Sequence, residues 1–422
     1  MTELIIAGAG TGNFAHMTPE VREAILRADV VCGSGRFRKL VPPSQKFIPL
    51  TSFAETFTKL EHESGQVVIL VSGDPGVYSL LPIVRKRFPS TKITVLPGIS
   101  SLQVLCAYAG ESWSDAVILS GHGRSLSVGR FLNVVERNRL VILFCDGVNS
   151  PQRACEKLAG LSVVSAVIGE NLGTTSRISV AIGENLGSES QRILSGTPQD
   201  FVTHESPELS LMLVKNHRPF SPENLHPRDR EFLRAEGVVM TNESVRAVIL
   251  ARLNLRSDSV LWDIGAGTGS ISVCAGLEFP ESEIHAVECK PEAVRVIAQN
   301  AGRFHLHNIA IHEARALDVM ETLPKPTHVF IGGSNGELAG ILARVGKMGE
   351  GVRVVVACVT LETFGMAYTL MKTWPEFEAV QVSITESKPL TDSSTLMKPK
   401  CPIMLLSAMS EQNFSPPEKF TP

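Results

Sequence analysis

Short apolar, β-branched runs recur along the chain, separated by longer stretches with helical spacing. In the first half they are "VVILV" (67–71), "ITVL" (93–96), "AVIL" (116–119), "LVILF" (140–144) and "LSLMLV" (209–214). The second half starts a new series with "SVLWDI" (259–264), "EIHAV" (283–287), "HVFI" (328–331), "RVVVA" (353–357) and "PIMLL" (402–406). Strand-like runs alternating with helical spacing are the signature of βαβ units. Between the two series lies "NHRPFSPENLHPRD" (216–229), with three prolines and few apolar residues. Such a segment reads as a linker and puts a boundary near residue 220. The pattern predicts an α/β domain over 1–217, a linker over 218–229 and a second α/β domain over 230–409. Each is near the usual domain size of about 200 residues or less. The polar tail "SEQNFSPPEKFTP" (410–422) is expected to be disordered. One internal repeat stands out: "VIGENLGTTSRISV" (167–180) runs straight into "AIGENLGSESQRIL" (181–194). Two copies of 14 residues are too few and too short for a solenoid, so a duplication within one strand-loop segment is expected.

Composition narrows the functional classes. With 40 basic and 43 acidic residues, the chain lacks the positive surplus of a nucleic-acid binder. No apolar run approaches the ~20 residues of a membrane span. The start "MTELIIAGAG" has no signal-peptide pattern, so a cytoplasmic protein is expected. Eight cysteines are scattered without CxxC or zinc-ligand spacing, which predicts reduced thiols and no bound metal.

The pentapeptide "GAGTG" occurs twice, each time after an apolar run: "LIIAGAGTGN" (4–13) and "LWDIGAGTGS" (261–270). The second copy has a partner acid. The next strand ends in Glu288, 19 residues after Gly269, where a carboxylate can accept ribose hydroxyls. Position 270, where a dinucleotide fingerprint would place its third glycine, is Ser. The loop and acid suit a dinucleotide or S-adenosylmethionine; the absent third glycine counts against the dinucleotide fingerprint, and a dinucleotide-dependent oxidoreductase stays as the alternative. The fourth strand of this series runs into "FIGGSNGEL" (330–338), without the Asn/Asp-Pro-Pro-aromatic cluster common in base methylases. The first copy has no such acid. Asp29 precedes Val30-Val31 and so lies at the start of a strand rather than its end. The first half instead offers three glycine loops after strands: "SGDPGVYSLLP" (72–82), "PGISSLQ" (97–103) and "SGHGR" (120–124). Together they build a cleft at a sheet edge, where α/β proteins bind ligands.

The second loop resembles the "DxGxGxG" loop of class I S-adenosylmethionine methyltransferases. The order "GAGTG… SGDPGVYSLLP… PGISSLQ… SGHGR… GENLG… SGTPQDF" resembles the tetrapyrrole methylases, a class III fold with two α/β lobes. Within that family, "SGHGR" and "GENLG" are similar to the cobalamin-pathway members that methylate carbon 5 of a precorrin. The second half, with "MTNESVRA" (240–247), "AVECKPEA" (286–293) and "VVVACVTLET" (354–363), resembles their companions. Those methylate carbon 15 and remove a carboxyl from an acetate side chain.

The resemblance implies a two-lobed tetrapyrrole-methylase fold followed by a Rossmann-like class I methyltransferase domain. It implies one S-adenosylmethionine per domain, a tetrapyrrole substrate and a homo-oligomer, with no nucleic acid and no membrane. Cofactor binding falls on Gly73, Asp74, Pro75, Tyr78, Ser100 and Ser101 in the first domain. In the second it falls on Thr241, Gly265, Ala266, Gly267, Thr268, Gly269, Glu288 and Ala316. Gly8, Gly10, Gly12 and His122 are expected at the tetrapyrrole. The acceptor's carboxylates call for cleft arginines, for which Arg124 and Arg246 are the candidates. Because the acceptor carbons are enamine-like and the donor is a sulfonium, no strong base is required, and no catalytic residue is assigned.

Overall fold

The computed structural model describes residues 3–121, 126–167, 177–349, 351–392 and 394–411, with the side chains of 162–167 left aside. The expectations for His122, for Arg124, for most of the first "GENLG" copy and for the tail beyond 411 fall outside these residues. The chain forms two compact units, one of Met1–Leu126 with Asn138–Pro219, the other of Ser127–Arg137 with Phe220–Pro422.

In the first unit the strand Glu3–Gly8 lies between Gln66–Val71 and Ile93–Leu96, all parallel. The full order is Lys46–Pro49, Val30–Gly33, Gln66–Val71, Glu3–Gly8, Ile93–Leu96. Both faces are covered, which is why these strands read as unbroken apolar runs. Ile5, Ala7, Val68 and Leu70 pack under the helix Pro19–Arg27 through Val21, Ala24 and Ile25. Their neighbours Leu4, Ile6, Val67 and Ile69 point the other way, onto Phe57 and Leu60 of the helix Phe53–Glu61.

A second sheet in this unit has the order Val117–Ser120, Leu140–Phe144, Ser210–Asn216, Ile178–Glu184, Arg192–Gly196. Its first pair is parallel and the rest are antiparallel. The second "GENLG" copy leaves the end of Ile178–Glu184, so this is the copy integrated in the sheet. Deleting 167–180 would draw Val164, Ser165 and Ala166 out of the end of the helix Pro151–Val167 and into the places of Ile178, Ser179 and Val180. Val180 is buried, and alanine there removes two core methyl groups, costing about 2 kcal/mol. The deleted chain should fold with its thermal midpoint lowered by roughly 4–8 °C. An insoluble product would show that residues of the first copy are structurally required.

The second unit centres on a seven-stranded sheet. Its order is Ile309–Glu313, Glu283–Glu288, Val260–Ile264, His328–Ile331, Arg353–Cys358, Ile403–Met409, Glu378–Val382. The first five are parallel, Ile403–Met409 runs antiparallel to both its neighbours, and Glu378–Val382 therefore shares the direction of the first five. Strand order reverses at Val260–Ile264, the kind of switch point where such sheets open a crevice. Helices cover both faces: Leu338–Lys347 and Leu361–Met371 on one side, Glu243–Leu253 and Ser270–Glu278 on the other.

Two segments differ from the sequence expectation. The linker is docked rather than free from Phe220 onward, with Pro227 buried and its carbonyl accepting from Arg246. Ser410 was expected in the tail, yet its N–H donates to the Val352 carbonyl at 2.7 Å and its hydroxyl to Gly349. Within this same unit the helix Val128–Arg137 packs through Arg130 on Glu281, Asn133 on the Pro280 carbonyl and Arg137 on the Leu277 carbonyl.

Candidate functional site

Each unit has a cleft at the carboxyl ends of its parallel strands. In the second unit, Asp263 sits in the strand Val260–Ile264 and is fully buried. Its Oδ2 accepts from the Ser272 N–H at 3.1 Å and from the Ser272 hydroxyl, tying the strand to the next helix. Burial pushes its carboxyl up to about 6, against the opposing pull of the Ser272 bonds. The turn between strand and helix places Gly267 at φ +57°, where a Cβ would lie 2.4 Å from the Val239 carbonyl oxygen. The segment around Val239 thus lies directly on the loop, and the Thr268 N–H donates to the same carbonyl at 3.2 Å.

Glu288 closes the neighbouring strand. Its Oε2 accepts from the Gly267 N–H at 3.0 Å, and its Oε1 accepts from the N–H groups of Cys289 at 2.9 Å and Lys290 at 3.1 Å. Three charge-assisted bonds fix the carboxylate at the mouth of the glycine loop. A carboxylate has about four acceptor positions, so Oε2 keeps one for a ligand.

The cleft beside it is about 280 Å³, and Thr241, Gly265, Ala266, Gly267, Glu288 and Ala316 line it. Thr268 is fully buried behind the loop, and Gly269 packs against Ile297, so neither lines the cleft. The sequence reading missed the wall Gly237–Val239 and the pair Cys289 and Asn335, whose Nδ2 donates to the Cys289 sulfur at 3.3 Å. Gly237–Val239 and Asn335 approach the loop from distant positions, so nothing in their sequence context marks them, whereas Cys289 directly follows Glu288.

Arg246 requires a correction. Expected at the substrate's carboxylates, it is 2% exposed and fully engaged within the protein. Its Nη1 meets Asp229 Oδ1 at 2.7 Å and donates to the Thr241 carbonyl, while Nη2 donates to the Pro227 carbonyl. The guanidinium also lies 4.7 Å from the Phe232 ring centre. These contacts hold the wall 227–241 in place and leave nothing for a ligand.

In the first unit three loops meet backbone to backbone. Gly10 and Gly73 exchange N–H···O bonds of 3.3 and 2.7 Å. A Cβ on Gly8 would sit 2.6 Å from both the Gly73 carbonyl oxygen and the Gly98 nitrogen. Gly8 and Gly10 were expected at the tetrapyrrole, but neither lines the cleft; their missing side chains let the loops touch. Asp74 staples the loops, its Oδ1 accepting from the Gly76 N–H at 2.7 Å and its Oδ2 from the Gly98 N–H at 3.1 Å. Asp74 and Pro75 thus shape the turn from behind, without lining the cleft.

Gly12, Gly73, Tyr78, Ser100 and Ser101 do line it, around a space of about 430 Å³. Tyr78 adopts φ +43°, and its hydroxyl donates to the Ile118 carbonyl at 2.7 Å. Ser100 caps the helix Ser101–Ala109 in a capping box with Gln103. From the far side come Asn185, Leu186 and Gly187 of the second "GENLG" copy. Asn13 Nδ2 donates to the Gly187 carbonyl at 3.0 Å, so the first "GAGTG" loop is tied directly to "GENLG".

Comparison with known proteins follows this two-part geometry. Residues 3–201 match the family described as Tetrapyrrole (Corrin/Porphyrin) Methylases, and residues 232–410 match the Precorrin methyltransferase domain. A precorrin-6Y C(5,15)-methyltransferase [decarboxylating] from Sinorhizobium sp is 28% identical over 370 residues, covering 85% of either chain. The chain belongs to the precorrin-6Y C(5,15)-methyltransferase (decarboxylating) family. A Salmonella typhi cobalt-precorrin-6B C(15)-methyltransferase (decarboxylating) is 34% identical over 189 residues, 44% of this chain and 97% of the relative. The crystal structure of precorrin-6y C5,15-methyltransferase from Geobacter metallireducens has 31% identity and a TM-score of 0.41, covering 44% of this chain and 96% of that one. Among the described residues no helix is long and apolar enough to cross a membrane.

Proposed function

We propose that the chain methylates precorrin-6Y at carbons 5 and 15 and removes carbon dioxide from its ring C acetate side chain, in cobalamin biosynthesis. The first unit performs the carbon-5 methylation, and the second performs carbon-15 methylation and decarboxylation. The observation that carries this reading is the presence of two clefts of different construction, one per compact unit.

S-adenosylmethionine fits the residues of both clefts. In the second unit Glu288 offers a fixed carboxylate for ribose hydroxyls, next to a loop that lines the cleft at Gly265, Ala266 and Gly267. Ile264, Ala293 and Phe330 supply the apolar surface for a purine ring. In the first unit Gly73, Tyr78, Ser100 and Ser101 would hold the cofactor, on loops fixed by Asp74. Bound, the cofactor supplies an electrophilic methyl group on a sulfonium.

What the chain contributes is orientation and exclusion of water. Holding two reactants in line can lower a barrier by roughly 7–11 kcal/mol, so prealigned loops account for much of the rate without a strong base. When the acetate carboxyl leaves as carbon dioxide, the bonding pair passes into the conjugated ring system of the substrate.

The test separates the two activities. The Salmonella relative, named for the carbon-15 reaction alone, is covered over 97% of its length by 44% of this chain, so the unit assigned that reaction is expected to fold alone. A fragment starting at Pro222 lacks the helix Val128–Arg137, but it keeps the whole seven-stranded sheet. With methyl-labelled S-adenosylmethionine and precorrin-6Y it should add one methyl at carbon 15 and release one carbon dioxide. The fragment ending at His217 should add the methyl at carbon 5. A folded Pro222 fragment that methylates carbon 5, or releases no carbon dioxide, contradicts the assignment.

A further inference from the structure

We infer that Arg36, with Lys39, receives carboxylates of the tetrapyrrole in the first unit's cleft and sets its specificity for a polyacid acceptor. The inference rests on the carbon-5 reading above. Both residues ride on the short 3₁₀ helix Gly35–Leu40, which follows the strand Val30–Gly33. Both line the cleft beside Thr11, Gly12, Ser72 and Gly73.

The guanidinium of Arg36 is aimed rather than loose. It lies 4.8 Å from the centre of the Phe37 ring, and Phe37 is 1% exposed and anchored in the core. One nitrogen, Nη2, donates to the Ser72 hydroxyl at 2.7 Å, directly before Gly73. Among the described residues these are the partners of Arg36, and no carboxylate pairs with it. A guanidinium has five N–H donors in a planar fork, so most remain for a ligand. Lys39 is exposed and has no ion pair among the described residues. Arg38, between them in sequence, behaves differently: it donates to the carbonyls of Val41, Pro42 and Pro43 and serves the loop.

Two cations with donors to spare, beside a loop that holds the methyl donor, match an acceptor that carries acid side chains. An arginine-carboxylate pair is commonly bidentate, giving geometric selection as well as attraction. The single carboxylate lining the cleft among the described residues is Glu208, so the local balance favours an anion.

The test uses the full chain carrying Arg36→Gln or Arg36→Lys, with precorrin-6Y and methyl-labelled S-adenosylmethionine. For Arg36→Gln the KM of carbon-5 methylation should rise about 10- to 100-fold, the range expected from losing a charged hydrogen bond. Its kcat should stay within a few-fold, and Arg36→Lys should recover part of the KM. Carbon-15 methylation and carbon dioxide release should be unchanged, which confines the effect to the first unit. Affinity of the first unit for S-adenosylhomocysteine should also be unchanged. An unchanged KM in Arg36→Gln overturns the inference. A loss of S-adenosylhomocysteine affinity overturns it too, by showing that Arg36 serves the cofactor's carboxylate. If the unaltered chain leaves carbon 5 unmethylated, the two-reaction reading falls and this inference falls with it.

Discussion

Valine at position 267 should abolish carbon-15 methylation and carbon dioxide release while carbon-5 methylation continues. Gly267 has φ +57°, a region that costs an L-residue roughly 1–2 kcal/mol and is worse for a β-branched one. The larger effect is steric. A Cβ there would lie 2.4 Å from the Val239 carbonyl oxygen, which also accepts from the Thr268 N–H. That wall cannot retreat freely, because Arg246 holds the carbonyls of Pro227 and Thr241. The sequence suggests that a side chain at 267 would fill ligand space; the structure shows it striking the backbone of the cleft wall. Either the loop or the wall must move, and a moving loop takes the N–H of Gly267 away from Glu288. A loss of more than about 100-fold in cofactor affinity at this site is expected, since two such effects exceed ~2.8 kcal/mol. Circular dichroism should show a folded chain, and intact carbon-15 activity would contradict the assignment of the second "GAGTG".

Glutamine at position 288 should weaken the same site by about 10- to 100-fold. Three backbone N–H groups, from Gly267, Cys289 and Lys290, converge on the carboxylate. A glutamine presents one oxygen and one NH₂, so at least one donor would face another donor. Hydrogen bonds to a charged group contribute about 1.5–3 kcal/mol, and the replacement also removes the acceptor offered to ribose. Calorimetric titration with S-adenosylhomocysteine should show the second unit weakened and the first unchanged. Unaltered binding at both sites would show that Glu288 is not the residue that holds ribose.

The strands were the most legible part of the sequence. Runs such as "VVILV" (67–71) and "RVVVA" (353–357) are buried on both faces, so nothing polar interrupts them. Among those that escaped were strands without that burial. Glu378–Val382 is largely exposed at the sheet edge, and the hairpin Thr385–Thr391 with Ser394–Pro399 is exposed almost throughout. Their composition matches a loop, and only pairing reveals them.

The candidate sites divide in the same way. Gly265 to Gly269 and Glu288 belong to one strand-loop-helix-strand unit, so their spacing alone brought them together. Arg246 could not be judged from its neighbours, because its partners lie at Pro227, Asp229 and Thr241 on a wrapped segment. Arg36 was hidden for a related reason. "GSGRFRKL" (33–40) offers three cations within four positions, and only the fold shows which two face the cleft. Gly8 and Gly10 were legible as special positions, but whether a bare backbone faces a ligand or another loop is a tertiary fact.

The central claim is that one chain carries two cofactor sites of unlike construction, and that the two "GAGTG" loops do different work. Titration of the full chain with S-adenosylhomocysteine tests it most directly, repeated on the Gly267→Val variant. The account predicts two sites per unaltered chain and one in the variant, the survivor belonging to the first unit. A single site in the unaltered chain, or the loss of both in the variant, would contradict it.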